Sequence, residues 1–588
     1  MHRITAAVLL SRSRLDPSTF PAGKKETLIL HRIGGTPEMS TWRASRACLR
    51  QPTSLTLVFG IICVMVSDSR VAQAGVSPDV RVMAIQRSTF KAAVYAHAVF
   101  IPIEPYVVSR DKAVQNMEVN LGIYRTQSRL ARQQNAEIIV FPEDGIYGMT
   151  FSRDTIYPYL EEIPDPATEA WTPCTDPHRH KDSDVQVALS CIAQQNQMYV
   201  VANMGDKKPC EPSLDPKCPG DRRYQFNTDV AYGPGGEFLA RYHKYNLYYE
   251  WQFDTPPTPE HIFFDTHFGR VGLATCFDVL FREPIIPLVE VFNVTVIAFP
   301  TAWMDALPLL PAIGFHSSFA RAHSINFLSA NIHLPEFKFD GSGLYASDGA
   351  HAFYYGSGAG GLSPKLLIAE MNVVEFHPAA SSISYNQLYG FGQVSGNLID
   401  KHDTELKRKK TLSSTRLYSS SDSNSTFESV LFSDVYTFKA LTKPSGKLQV
   451  CQGKVCCYLE YQVATDEARK AELYAFGAFD GLHTHDGNYY MQNCILVKCA
   501  DAQNKKSCGS LTFKTSTRFT RISLRGQFET HYVYPQVILS DYKGHLALTP
   551  PAAWSFNGSA LETNASFSAT VLNAVLLGRD YSRDNQGS

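Results

Sequence analysis

From about residue 81 to 375, continuous apolar runs alternate with longer amphipathic stretches. "AEIIVFPED" (136–144) follows a stretch of helical period that begins near Asp111, and "MYVVANMG" (198–205) follows "DVQVALSCIAQQNQ". "VGLATC" (271–276) precedes the helix-like "FDVLFREPIIPLVE", "VTVIAFPTAW" (294–303) precedes "LPLLPAIGFHSSFARAHS", and "INFLSANIH" (325–333) closes the series. Runs without a polar face predict strands buried on both sides, and their alternation with helices predicts a layered α/β domain. Two of these runs stop at a reactive side chain, Glu143 after "IIVFP" and Cys276 after "VGLAT". Strand ends are where open α/β sheets place their chemistry.

The pattern then changes. Residues 401–429, with "KRKK" at 407–410 and the Ser-rich "LSSTRLYSSSDSNST", lack hydrophobic period and predict a solvated linker. Beyond it, "LYAFGAFDG", "YYMQNCILVKC" and "HYVYPQVILSD" are short β-like runs separated by turns, so 430–588 is expected to be a β-rich domain after an α/β domain at 75–400. A chain of 588 residues exceeds what one core usually supports, which agrees with two domains.

The N-terminal 74 residues are expected to lie outside the fold. "SLTLVFGIICVMV" (54–66) is too short for a membrane span, follows Arg43, Arg46 and Arg50, and leads to "AQAG", where Ala72 and Ala74 form the A-x-A cleavage pattern. That describes a removed signal peptide with Met39 as an alternative start, or a short membrane anchor; length and the cleavage pattern favour the signal. Asn424, Asn557 and Asn564 lie in glycosylation sequons, which fits secretion, and Asn293 also matches but sits in the apolar "VFNVTVIAF", where burial would block it. No hydrophobic tail follows "VLLGRDYSRDNQGS", so no lasting membrane anchor is expected. With 55 basic and 56 acidic residues the chain carries no global field for nucleic acid, and a monomer is expected.

Secretion changes the meaning of the cysteines. Excluding Cys48 and Cys63 leaves 11 of the 13, in a 174–218 group, a 451–508 group and the isolated Cys276. Paired cysteines in the two groups would make up to five disulfides and leave Cys276 as the odd thiol.

Three stretches set a reactive group in an apolar frame: "VFPEDGIYG" presents Glu143, "ARYHKYNLYYE" presents Lys244, and "LATCFDVLF" presents Cys276. Alone, each has an ordinary reading as a turn residue, a solvated lysine or a packed thiol. Together they could cleave an amide. Glu143 would take the thiol proton, Cys276 would attack the carbonyl, and Lys244 with the backbone N–H of Phe277 would hold the oxyanion. Glu250 reads equally as an auxiliary carboxylate or a surface charge. "GLHTHDG", with His483 and His485, and "DPHRHKD" lack metal-ligand spacing, and no P-loop or GxGxxG fingerprint stands out, so neither a metal nor a cofactor is expected.

In this order the three residues resemble the carbon–nitrogen hydrolase (nitrilase) superfamily, and longer stretches resemble its secreted vertebrate branch, the vanins (pantetheinases) and biotinidase. "IIVFPEDGIYG", "YPYLEEIPDP", "YVVANMGDKKPC", "RYQFNTDV", "ARYHKYNLYYE", "TCFDVLF", "FPTAWM", "GSGLYA", "CCYLEY" and "AFGAFDGLHT" carry the likeness across both domains. The resemblance implies an αββα sandwich followed by a β-rich domain, and cofactor-free hydrolysis of a small linear amide. "VVANMGDKKPC" and "STRFTRISLRGQFETHYVYPQVILS" lean to the pantetheinase side, while the missing anchor tail is closer to biotinidase. Asp305 in "PTAWMD" stands where the resemblance leads one to expect Asn. Pantetheine hydrolysis is the expected activity, release of biotin from its amides the runner-up, and a catalytically silent secreted glycoprotein the reading from another class.

Overall fold

The computed structural model describes residues 88–356, 363–375, 426–464 and 472–584. The expected signal segment, most of the expected linker with its KRKK run, and Asn424 fall outside them. Twelve strands follow in the first part of the chain: β1 Thr89–Ala96, β2 Ile138–Val140, β3 Tyr199–Pro209, β4 Arg223–Tyr232, β5 Phe238–His243, β6 Phe263–Thr266, β7 Gly269–Leu273, β8 Val296–Thr301, β9 Asn326–Asn331, β10 Ser342–Ala346, β11 Gly349–Tyr354 and β12 Lys365–Asn372. They form two six-stranded sheets in the orders β12-β1-β2-β3-β4-β5 and β11-β10-β9-β8-β7-β6. The central strands run parallel, with Ala93 opposite Ile139, Ile139 opposite Val200, and Ile297 between Gly272 and Phe327.

Each layer follows from the side chains that it buries. Val94, Val140, Val201, Val271, Val296 and Leu328 lie in the core between the sheets. Alternate residues Ala93, Ile139 and Val200 face outward against the helices Arg110–Gln133 and Asp184–Asn196. The first helix presents Ala113, Met117, Leu121 and Tyr124 at helical spacing, and Ser109 caps it by accepting from the Lys112 N–H at 3.3 Å. Against the second sheet lies the helix Ala312–His323, which starts directly after Pro311. The result is the expected αββα sandwich.

The strand series runs on beyond "INFLSANIH": β10 to β12 follow it, and β12 returns to pair with β1. One local expectation fails, since "FDVLFREPIIPLVE" is not one helix: a 3-10 turn spans Cys276–Leu280, and a separate short helix spans Ile285–Glu290. Pro284 disfavours helical backbone in the residue before it, which separates the two.

The C-terminal domain is antiparallel, with β13 at Phe427–Leu431 and the long strands Tyr474–His483, Tyr489–Lys498 and Ala569–Arg579. Because β13 begins at Phe427, the expected linker loses its residues 427–429 to the sheet. One core, built on Val450, Phe476, Leu496, Leu524 and Leu576, is internal to this domain. Another is shared with the sandwich: Phe315 and Phe319 pack on Tyr534 at ring separations of 5.6 and 5.5 Å, and Cys276, Val279 and Leu280 lie in the same cluster as Tyr489, Met491 and Leu577. Disulfides join Cys174–Cys191, Cys210–Cys218, Cys451–Cys456, Cys457–Cys494 and Cys499–Cys508, all within the two expected groups, and Cys276 is free.

Candidate active site

Four strand ends meet at one edge of the sandwich. Glu143 lies in the turn after β2, and Lys244 follows β5 with its N–H donated to Asn227 O at 2.8 Å. Cys276 follows β7, and Ala302 follows β8. The Glu143 turn is locked against the first helix. A Cβ on Gly145 would lie 2.1 Å from Tyr124 Oη, so this position tolerates only glycine, and Asp144 beside it takes a positive φ of 56°. The Asp144 N–H is held by Asn203 Oδ1 at 3.1 Å.

Lys244 Nζ donates to Glu143 Oε1 at 2.7 Å and to Glu250 Oε1. Asn227 Nδ2 bridges the two carboxylates, at 2.8 Å to Glu143 and 2.7 Å to Glu250, and the Ala302 N–H donates to Glu143 Oε2 at 2.8 Å. All three charged side chains are buried, so each carboxylate is satisfied by fixed donors rather than by water. Burial alone would lower the Lys244 pKa, but Glu143 and Glu250 outweigh it and hold the ammonium charged. Glu250 is therefore a buried partner of Lys244 and Asn227 and not a surface charge.

Cys276 is 6% exposed and has Glu143, Lys244, Thr301 and Ala302 as its polar neighbours. Burial, and next the Glu143 charge, push its thiol well above the usual range, against the weaker pull of Lys244, Thr301 and Ala302. The thiol therefore holds its proton more firmly than a free cysteine does, beside Glu143 and Lys244. Its backbone sits at φ 45°, a strained conformation for a residue with a side chain, at the start of the 3-10 turn. Phe277, expected at a helix start, is instead the second residue of that turn, and its ring packs on Tyr248 at 4.9 Å.

A second tier of polar side chains, which the sequence reading missed, holds this arrangement. Asn203 Nδ2 donates to Asn227 Oδ1 at 2.6 Å and to Asp229 Oδ1 at 2.9 Å. Thr275 Oγ1 donates to Asp229 Oδ2 at 2.7 Å, and the Thr275 N–H to Asp278 Oδ2 at 3.0 Å. Asp278 also accepts from Tyr242 Oη at 2.7 Å. Burial raises the pKa of Asp229, and that of Asp144, where Glu143 and Glu250 add to it. A signal for these residues was present in β4. "RYQFNTDV" places Gln225, Asn227 and Asp229 at alternate positions of a strand that is buried from Gln225 onward, a period that packing alone does not call for.

The remaining expected residues lie elsewhere. Asn557 and Asn564 are exposed in the C-terminal domain, and Asn293 is also exposed, in the turn before β8 at φ 58°, which corrects the expectation of burial. His483 pairs with Asp434 at 2.8 Å and His180 with Glu169 at 2.9 Å, and among the described residues no group of three or more His, Cys, Asp or Glu could hold a metal ion. Asp305 is held by Tyr355 Oη and the Ala312 N–H, each at 2.7 Å, beside a cleft of about 310 Å³ between the domains. No helix of the described residues is long and apolar enough to cross a membrane.

Residues 98–304 match the carbon–nitrogen hydrolase family, and residues 425–584 match the vanin C-terminal domain. The chain is 44% identical over 498 residues to the pantetheinase of Mus musculus, covering 84% of this chain and 90% of that protein. To the pantetheinase of Homo sapiens it is 42% identical over 500 residues, covering 85% and 90%. To the biotinidase of Takifugu rubripes it is 41% identical over 456 residues, covering 77% and 87%.

Proposed function

The chain belongs to the pantetheinase and biotinidase family of carbon–nitrogen hydrolases, and from that premise we propose that it hydrolyses pantetheine to pantothenate and cysteamine through a Glu143–Lys244–Cys276 triad. The convergence of those three side chains at one sandwich edge carries this reading, in a chain that is 44% identical to a pantetheinase over 90% of that protein. As Cys276 Sγ attacks the amide carbonyl, its proton passes to Glu143. The carbonyl oxygen becomes an oxyanion facing the Lys244 ammonium and the Phe277 N–H. Collapse breaks the C–N bond, Glu143 returns the proton to the departing amine, and the acyl group stays on sulfur as a thioester. Water, deprotonated by Glu143, then attacks the thioester, and the carboxylic acid leaves as the thiol is restored.

The raised thiol pKa fits this order of events, since a buried neutral thiol needs its base during the attack and not before it. Glu250, hydrogen-bonded to Lys244, keeps the ammonium fixed and charged while Glu143 changes protonation. Five disulfides suit an oxidising compartment, so the reading places the enzyme outside the cell, with Asn293, Asn557 and Asn564 as exposed glycan acceptors and Asn424 as a further sequon.

Biotin-amide hydrolysis uses the same chemistry, and the 41% identity to a biotinidase favours it as the second reading. Purified enzyme assayed side by side on pantetheine and biocytin separates the two: faster turnover of pantetheine is expected, and preference for biocytin overturns the first reading. Cys276→Ala should abolish turnover of either substrate, and a variant that kept wild-type turnover would remove the triad.

A further inference from the structure

The turn that carries Cys276 is held from the other domain. Arg579, at the end of the C-terminal strand Ala569–Arg579, has a side chain that is 0% exposed. Its Nε and Nη2 both donate to Leu280 O, at 2.9 and 2.8 Å. Leu280 is the last residue of the 3-10 turn that Cys276 opens. The rest of the guanidinium is fixed within its own domain: Nη1 donates to Tyr490 O and, at 3.0 Å, to Asp584 Oδ1, while Nη2 donates to Asp584 Oδ2 at 2.8 Å. Tyr490 N–H in turn donates to Asp584 Oδ1 at 2.8 Å, and the guanidinium lies 4.7 Å from the Tyr581 ring centroid.

A single 3-10 turn has terminal carbonyls with no partner inside it, and it is too short to impose an unfavourable φ on its first residue. Here an external, charged donor pair converges on that terminal carbonyl. The same domain also packs on either end of this stretch: the ring of Phe281, which follows the turn, lies 6.3 Å from that of Tyr489, and Gly487 is so close to the Phe277 ring that a Cβ there would come within 2.9 Å of it. We infer that Arg579 is a positioning residue for the nucleophile, and that through the Leu280 carbonyl the C-terminal domain fixes the turn in which Cys276 faces Glu143 and Lys244. This rests on the reading of Cys276 as the nucleophile.

The test uses the full chain with Arg579→Met and Arg579→Lys. The lysine variant keeps the charge opposite Asp584 but cannot present the two-pronged donor. Two readouts are compared: kcat and KM on pantetheine, and the rate and pH profile of Cys276 alkylation by iodoacetamide. A misplaced nucleophile should lower kcat on the order of 10- to 100-fold with KM little changed, and shift the alkylation profile, with the lysine variant intermediate. A purely structural role would lower the thermal midpoint and leave both readouts of the folded enzyme at wild-type values, and that result overturns the inference. If Arg579→Met does not fold, the lysine variant decides by the same two readouts. If the wild-type enzyme alkylates at Cys276 but leaves pantetheine intact, the substrate reading fails while the alkylation comparison still tests the positioning.

Discussion

Asp305, partly exposed beside the cleft between the domains, carries a carboxyl that holds its proton to an unusually high pH. Burial raises its pKa to about 7, against which the hydrogen bonds from Tyr355 and Ala312 pull only in part. An exposed aspartate titrates near ~3.9, so below pH about 4 the folded and unfolded chains both hold this proton. Between there and pH 7 the unfolded chain gives the proton up while the folded chain keeps it, and stability falls as pH rises. Asn at 305 can still accept from Ala312 N–H and donate to the Tyr355 oxygen without titrating. Asp305→Asn should therefore stabilise the fold at pH 7.4 by on the order of 2 kcal/mol, after allowing for the residue's partial exposure, which raises the thermal midpoint, and lose that advantage at pH 4. Melting curves at the two pH values check it, and an equal shift at both would show that the carboxyl proton plays no part.

The turn Cys276–Leu280 is the element on which the proposed chemistry depends, and its stability comes largely from outside its own hydrogen bonds. Thr275 enters it by donating to the buried Asp229, so Thr275→Val leaves that carboxyl short of a donor. A loss of about 1–3 kcal/mol is expected, with Thr275→Ser near wild type, measured by denaturant melts followed at tryptophan. A valine variant as stable as wild type would show that Asp229 finds another partner. This element also marks where sequence reading stops. The strand pattern foretold β2, β3, β7, β8 and β9, because apolar residues on both faces leave few alternatives, and cysteine parity singled out Cys276. Neither source predicts a nucleophile at φ 45°, since a positive φ on a non-glycine residue is imposed by contacts distant in sequence. Asn203, Asn227 and Asp229 escaped notice for a related reason: a polar residue inside a buried strand acquires its full meaning when a neighbouring strand or the facing sheet brings its partner. Arg579 reads as an ordinary strand-end arginine until Leu280, far earlier in the chain, is placed against it.

For the molecule as a whole, the shared core makes two domains behave as one unit. None of the disulfides among the described residues crosses between them, so non-covalent contacts hold the two together, among them Tyr534, Tyr489 and Leu577 against the sandwich side chains and Arg579 on the Leu280 carbonyl. Inserting a specific protease site within 401–426 and cutting it should leave both fragments in one particle on size exclusion, still active after cleavage. Separation of the fragments under native conditions would show that the covalent link is required. The pairing pattern also bears on how such an enzyme must be handled. Ten of the eleven cysteines beyond residue 74 are oxidised, and the remaining one must stay reduced to function under the proposed mechanism. A reductant added to protect the buried Cys276 would first meet the Cys451–Cys456 link, where Cys451 is exposed, so a stock kept strongly reducing for the sake of activity endangers its own scaffold. Thiol-free buffer is the safer choice for storage.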